Sequence, residues 1–81
     1  MIRISRESRL KPAEIITKAS RFFGKGGEGL DETERGSCCI SFSGPGGGHV
    51  IVRVVESSNR REVDVESREF EYQAKRFLES L

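Results

Sequence analysis

The chain has 81 residues, of which 35% are hydrophobic and 33% are charged, and its formal net charge is +1. This size suits one compact domain over residues 1–81 and leaves no room for a second. No run of about 18 apolar residues occurs, so no membrane-spanning helix is expected. The first residues lack the apolar core of a secretory signal, so we expect a cytoplasmic location.

The N-terminal third predicts a short strand and then a helix. Apolar and polar residues alternate over 2–5, a pattern typical of an edge strand. Pro12 suits the first turn of a helix, where a missing N–H leaves no bond unmade. Apolar residues then recur at helical spacing and predict a buried stripe, made of Ile15, Ile16, Ala19, Phe22 and Phe23.

The segment 24–36 contains five glycines and shows no apolar period. We interpret it as a mobile glycine-rich loop, because loops of about this length are commonly functional or disordered. Leu30 lies within it, and an alternative is that Leu30 packs onto the outer face of the neighbouring sheet.

Three strands and a second helix follow. Residues 38–42, 49–55 and 62–66 are rich in β-branched or aromatic residues and are bounded by turn formers. Ser67 offers an N-cap for a helix over about 68–80. Alternation assigns one strand face to the core: Cys38, Ile40, Phe42, Val50, Val52, Val54, Val63 and Val65. The predicted fold is an α+β two-layer sandwich of order (β)-α-β-β-β-α. It has a three-stranded antiparallel meander, residues 2–5 as a candidate fourth edge strand, and both helices on one face.

The stretch "SFSGPGGGHVIV" over 41–52 contains a glycine run between two of these strands. A phosphate-binding loop normally leads into a helix and has a lysine beside it, and this stretch has neither. We therefore interpret it as a hairpin turn. Because directly opposed residues share a face, Phe42 should lie opposite Val50 or Gly48. On the next hairpin, Arg53 should lie opposite Asp64 or Glu62.

Cys38 and Cys39 are the only cysteines, and they are adjacent. Neighbouring residues on a strand point to opposite faces, so we do not expect these two to pair. Two cysteines and one histidine cannot close a four-ligand zinc site, and we predict no metal and no cofactor. A thiol enzyme with Cys39 as nucleophile, assisted by His49 and Asp64, remains a third alternative for the function, although no local motif supports it.

Basic residues concentrate in the N-terminal part. Residues 1–25 carry a net charge of +5 and residues 26–81 carry −4. The α-β-β-β-α element order resembles that of the double-stranded RNA-binding domain, a resemblance of element order only. That family's lysine cluster would fall on "SREFEYQAK", where Glu69 and Glu71 would repel phosphate. A nucleic-acid or polyanion site would instead use residues earlier in the chain: Arg3, Arg6, Arg9, Lys11, Lys18 and Arg21.

The second sheet face carries apolar residues where a solvated face is expected to be polar. Ile51 and Val55 beside Cys39 make a small apolar area with a charged rim, which is typical of an interaction surface. The candidate residues are Cys39, Ser41, Ile51, Arg53 and Val55. No residue set has catalytic spacing. The leading hypothesis is therefore a small non-enzymatic interaction module that binds a protein partner or a second copy of itself, and the alternative is polyanion binding.

Overall fold

A computed structural model describes residues 1–57 and 59–81. The protein is a small α+β fold in which two helices cover one face of a five-stranded antiparallel sheet. The elements are β1 (Ile2–Glu7), α1 (Pro12–Phe23), β2 (Asp31–Arg35), β3 (Cys39–Ser43), β4 (His49–Ser57), β5 (Arg60–Arg68) and α2 (Glu71–Glu79). The strand order across the sheet is β1-β5-β4-β3-β2. Within the described residues, no helix is long and apolar enough to cross a membrane.

The predicted α+β class is confirmed, and the sheet has more strands than the predicted meander of three. Residues 2–5 do join the sheet, as part of β1, which pairs with β5. The fifth strand, β2, lies inside the segment 24–36 that sequence reasoning assigned to a loop. All five residues of β2 are exposed, so the strand carries no apolar alternation that the sequence could reveal.

The core lies between the sheet and the helices. Helix α1 contributes Ile15, Ile16, Ala19 and Phe23. Helix α2 contributes Ala74, Phe77 and Leu78. Seven of the eight predicted strand positions are buried there, as expected. Cys38 is the exception: it is exposed and lies before β3, so its assignment to the core was wrong.

The glycine run is a tight connection between β3 and β4. Gly46 and Gly47 have φ values of 74° and 83°, which glycine adopts without strain. Gly44 and Gly48 lie against the ring of Phe70, where a Cβ atom at either position would stand 2.6 Å from a ring carbon. Phe42 lies opposite Val50, so the hairpin is confirmed and has one of the two predicted registers.

The C-terminal helix begins later than the predicted residue 68. Strand β5 runs to Arg68, and Glu69 takes a φ of 74° before α2 begins at Glu71. Ser67 is fully buried, and its hydroxyl accepts a hydrogen bond from the Phe70 N–H at 3.2 Å. Ser67 therefore stabilises the turn between strand and helix, and Phe70 occupies the N-cap position.

Candidate functional site

The face of the sheet turned away from the helices, here named the open face, is the candidate site. Leu30 is buried in the core with α1, and its N–H donates to the Phe23 carbonyl at 2.9 Å. The segment that could have covered the open face therefore packs on the helical side. The buried residues of both helices and Leu30 belong to the core on the opposite side, so the open face is the outer side of the five-stranded sheet.

Strand register brings the five predicted interaction residues together on this face. Cys39 lies opposite Arg53 and Ser41 lies opposite Ile51 across β3 and β4, and Val55 follows two residues further on. Val55 is 47% exposed, whereas Ile51 is half-buried. These side chains form the centre of the open face, with apolar groups on either side of one guanidinium.

The acidic residues of β5 flank this centre. Arg53 lies opposite Asp64, as predicted, but its guanidinium contacts Glu66 diagonally at 3.8 Å. Asp64 is only 7% exposed and accepts a hydrogen bond from Arg3 Nη2 at 3.0 Å. This hydrogen bond and the charge of Asp64 raise the pKa of Arg3 above its ordinary value.

Carboxylates outnumber guanidiniums on the open face. The register places four arginines there, which are Arg3, Arg53, Arg60 and Arg68, together with six acidic residues, which are Glu7, Asp31, Glu34, Glu62, Asp64 and Glu66. With His49 neutral, the open face carries a net charge of −2, and the rest of the chain carries the balance. Within the described residues, no basic side chain lies within 4 Å of Asp31, Glu34 or Glu62.

The six basic residues predicted as an anion site are dispersed. Arg3 lies on the open face, and Arg9 lines a recess beside Arg60 and Arg61 at the end of the β4–β5 hairpin. Lys11 caps α1, where its N–H donates to Glu14 Oε1.

The other three basic residues surround the C-terminal end of α2. Arg6 donates to the Leu78 carbonyl at 3.2 Å, and Lys18 and Arg21 line a shallow recess with Ser80. Cations at a helix C-terminus offset the negative end of the helix dipole. Arg6 thus bonds a carbonyl in the last turn of α2, whereas Lys18 and Arg21 lie beside Ser80, the residue that follows the helix.

The expectation that the two cysteines do not pair was wrong, because a disulfide joins Cys38 and Cys39. The alternation of side chains along a strand does not apply to Cys38, because β3 begins at Cys39.

His49 lies opposite Ser43, four residues along the ladder from Cys39, a separation of about 13 Å. His49 approaches Glu66 at 4.0 Å, and Asp64 is bonded to Arg3. The structure does not bring Cys39, His49 and Asp64 together.

Sequence reasoning missed two groups that shape the site. The acidic residues Asp31 and Glu34 of β2 extend the charge of the open face, and no apolar residue marks that strand in the sequence. Glu32 and Arg35 point to the other side, where both bond Ser20 of α1 and each other. The Arg35 guanidinium lowers the pKa of Glu32.

Comparison of the chain with protein families, with curated proteins and with solved structures finds no match.

Proposed function

We propose that this chain is a non-enzymatic protein-interaction module whose open face binds a partner segment in which basic side chains flank apolar ones. The observation that supports this most directly is the charge layout: apolar groups at the centre of an uncovered sheet, bordered on both sides by carboxylates. Charge complementarity then selects a basic partner and rejects acidic ones.

The apolar part of the proposed contact consists of Val55, Ile51 and the Cys38–Cys39 disulfide. Val55 exposes nearly half of its surface and Cys38 is exposed, so a partner can remove both from water. Burial of apolar surface contributes about 25 cal/mol per Å², which gives affinity, while the acidic border supplies orientation.

The carboxylates of Glu62, Glu34 and Asp31 provide the proposed charge contacts. Asp64 and Glu66 already have arginine partners within the protein. A partner's lysine or arginine gains more from carboxylates without such partners, because no internal ion pair has to break first.

Two other hypotheses from the sequence fit the charge layout less well. A second copy of the chain would bring two open faces of like net charge together, and repulsion opposes that contact. A polyanion would need a continuous basic stripe, whereas the basic residues lie at the sheet, at the hairpin end and around α2.

The test is an amide-shift titration of labelled protein with a short peptide of alternating lysine and leucine. We expect shifts at residues of β2, β3, β4 and β5 that weaken as salt is added. Glu62→Lys should reduce the affinity by about threefold. Glu79→Lys is the matched control, because it makes the same charge change on α2 and should leave the affinity unchanged.

Other outcomes assign the function differently. Shifts confined to the helices, or equal effects of the two lysine variants, would contradict binding at the open face. A dimer mass by light scattering, with open-face amides that shift on dilution, would identify a second copy as the occupant. Salt-sensitive shifts around Arg6, Lys18 and Arg21 with a nucleic-acid duplex would favour the polyanion alternative.

A further inference from the structure

The Cys38–Cys39 disulfide is an accessible group at the start of β3 on the open face. Cys38 is exposed in the bend before β3, and Cys39 is half-buried as the first residue of that strand. Backbone hydrogen bonds fix both residues independently of the sulfur atoms. The Cys38 carbonyl accepts from the Val54 N–H and the Cys39 carbonyl accepts from the Gly36 N–H, each at 2.8 Å. Because these bonds do not involve the sulfur atoms, we expect the strand to stay in place when the disulfide opens.

The two sulfur atoms have different surroundings. Cys39 lies directly opposite Arg53 in the β3–β4 ladder, and residues in this relation have Cβ atoms about 5 Å apart. This register makes Arg53 the cationic residue next to Cys39, with its Nη1 3.8 Å from Glu66 Oε1, and a neighbouring positive charge favours a thiolate over a thiol. Glu66 and Asp64 are the nearby acids, and Asp64 is held by Arg3. Cys38 precedes the ladder that pairs Cys39 with Arg53, and it is exposed to solvent.

We propose that this disulfide is a reversible thiol–disulfide exchange site, at which an external thiolate attacks Cys38 and Cys39 leaves as a thiolate facing Arg53. The thiolate attacks Cys38 because Cys38 is exposed. Cys39 leaves because the positive charge of Arg53 stabilises its thiolate. The inference stands apart from the proposed partner binding, because it requires only a thiol as the second reactant.

The exchange balances with a dithiol as reductant. The attacking thiolate forms a bond to Cys38 Sγ while the Cys38–Cys39 bond breaks and its electron pair goes to Cys39 Sγ. The second thiol of the reductant, once deprotonated, attacks the reductant's own sulfur in the mixed disulfide and releases the Cys38 thiolate. Two electrons and two protons pass in all from the dithiol to the protein, and the reductant leaves as a disulfide.

The experiment treats the oxidised, folded full chain with reduced glutathione at neutral pH, quenches with acid, and locates the mixed disulfide by fragment-ion mass spectrometry. Glutathione on Cys38 is the expected result. Arg53→Gln should slow the exchange by about threefold, because the leaving thiolate loses its cation. Arg68→Gln makes the same charge change on the same face, away from Cys39, and should leave the rate unchanged.

Each remaining outcome counts against the proposal. Glutathione found mainly on Cys39 would overturn the assigned direction, and equal rates for the two glutamine variants would remove the role of Arg53. If glutathione reacts with the disulfide only after the chain is unfolded in urea, the disulfide has a structural role and is not an exchange site. A purified chain with two free thiols that does not close with an oxidised dithiol would show that the exchange site does not exist. Amide spectra before and after treatment separate these outcomes from loss of fold.

Discussion

Gly48→Ala tests why the connection between β3 and β4 consists of glycine. The added methyl group would stand 2.6 Å from Phe70 Cε2 and 3.1 Å from the Arg68 carbonyl oxygen. Carbon atoms in ordinary contact lie about 3.5–4.0 Å apart, so the ring has to move by about 1 Å. Overpacking of this kind costs roughly 1–3 kcal/mol. For a domain of this size, a loss of about 2 kcal/mol lowers Tm by roughly 8–16 °C.

A double-mutant cycle measured by urea unfolding isolates the contribution of the ring. Phe70→Leu removes the Cε and Cζ atoms but keeps an apolar side chain, so Gly48→Ala should cost less in that background. Gly36→Ala is the control, because a Cβ atom there meets nothing within 4 Å. If Gly48→Ala costs the same in the native chain and in the Phe70→Leu background, contact with the ring is not the reason for glycine at this position.

Three further predictions concern the same end of the molecule and the α1–β2 contact. Glu69→Gly should raise the free energy of unfolding by about 1 kcal/mol in urea melts, because Glu69 has a φ of 74° and glycine adopts it freely. Ser67→Ala should lower it by about 1–2 kcal/mol, since the half-buried Phe70 N–H loses its acceptor, and an unchanged value would contradict that role. The pKa of Glu32 is lowered from 4.5, so its contribution to stability is present above pH 4.5 and lost as the pH falls through the depressed value. Acid titrations of the native chain and of Glu32→Gln should therefore converge at low pH and separate above it.

Much of the fold follows from local patterns in the sequence. The apolar stripe after Pro12 specifies α1, and the alternation of Val63 and Val65 with acidic residues specifies one strand and its two faces. Periodicity is sufficient here because each of these segments buries one face against the core. The same reasoning gave Val50 as one of two residues expected opposite Phe42, and it put Arg53 and Asp64 on one face of the sheet.

The limits of sequence reasoning appear where burial does not leave a pattern. Strand β2 is exposed along its whole length, so its membership in the sheet depends on backbone hydrogen bonds to β3 and on the bonds of Glu32 and Arg35 to α1. The start of α2 also differs from the predicted residue 68. The Ser67 side chain stabilises the turn after β5 and does not cap a helix that begins at residue 68.

The sequence by itself determined the α+β class, both helices, the glycine hairpin and the five residues of β3 and β4 at the centre of the open face. Only the tertiary structure decided what those residues contact. It brought Arg3 to Asp64 across 61 positions of sequence, and it placed Arg6, Lys18 and Arg21 around the end of α2. It also joined Cys38 to Cys39. Local spacing fixes the direction of a side chain on its own element, whereas its partner depends on how elements distant in sequence are packed together.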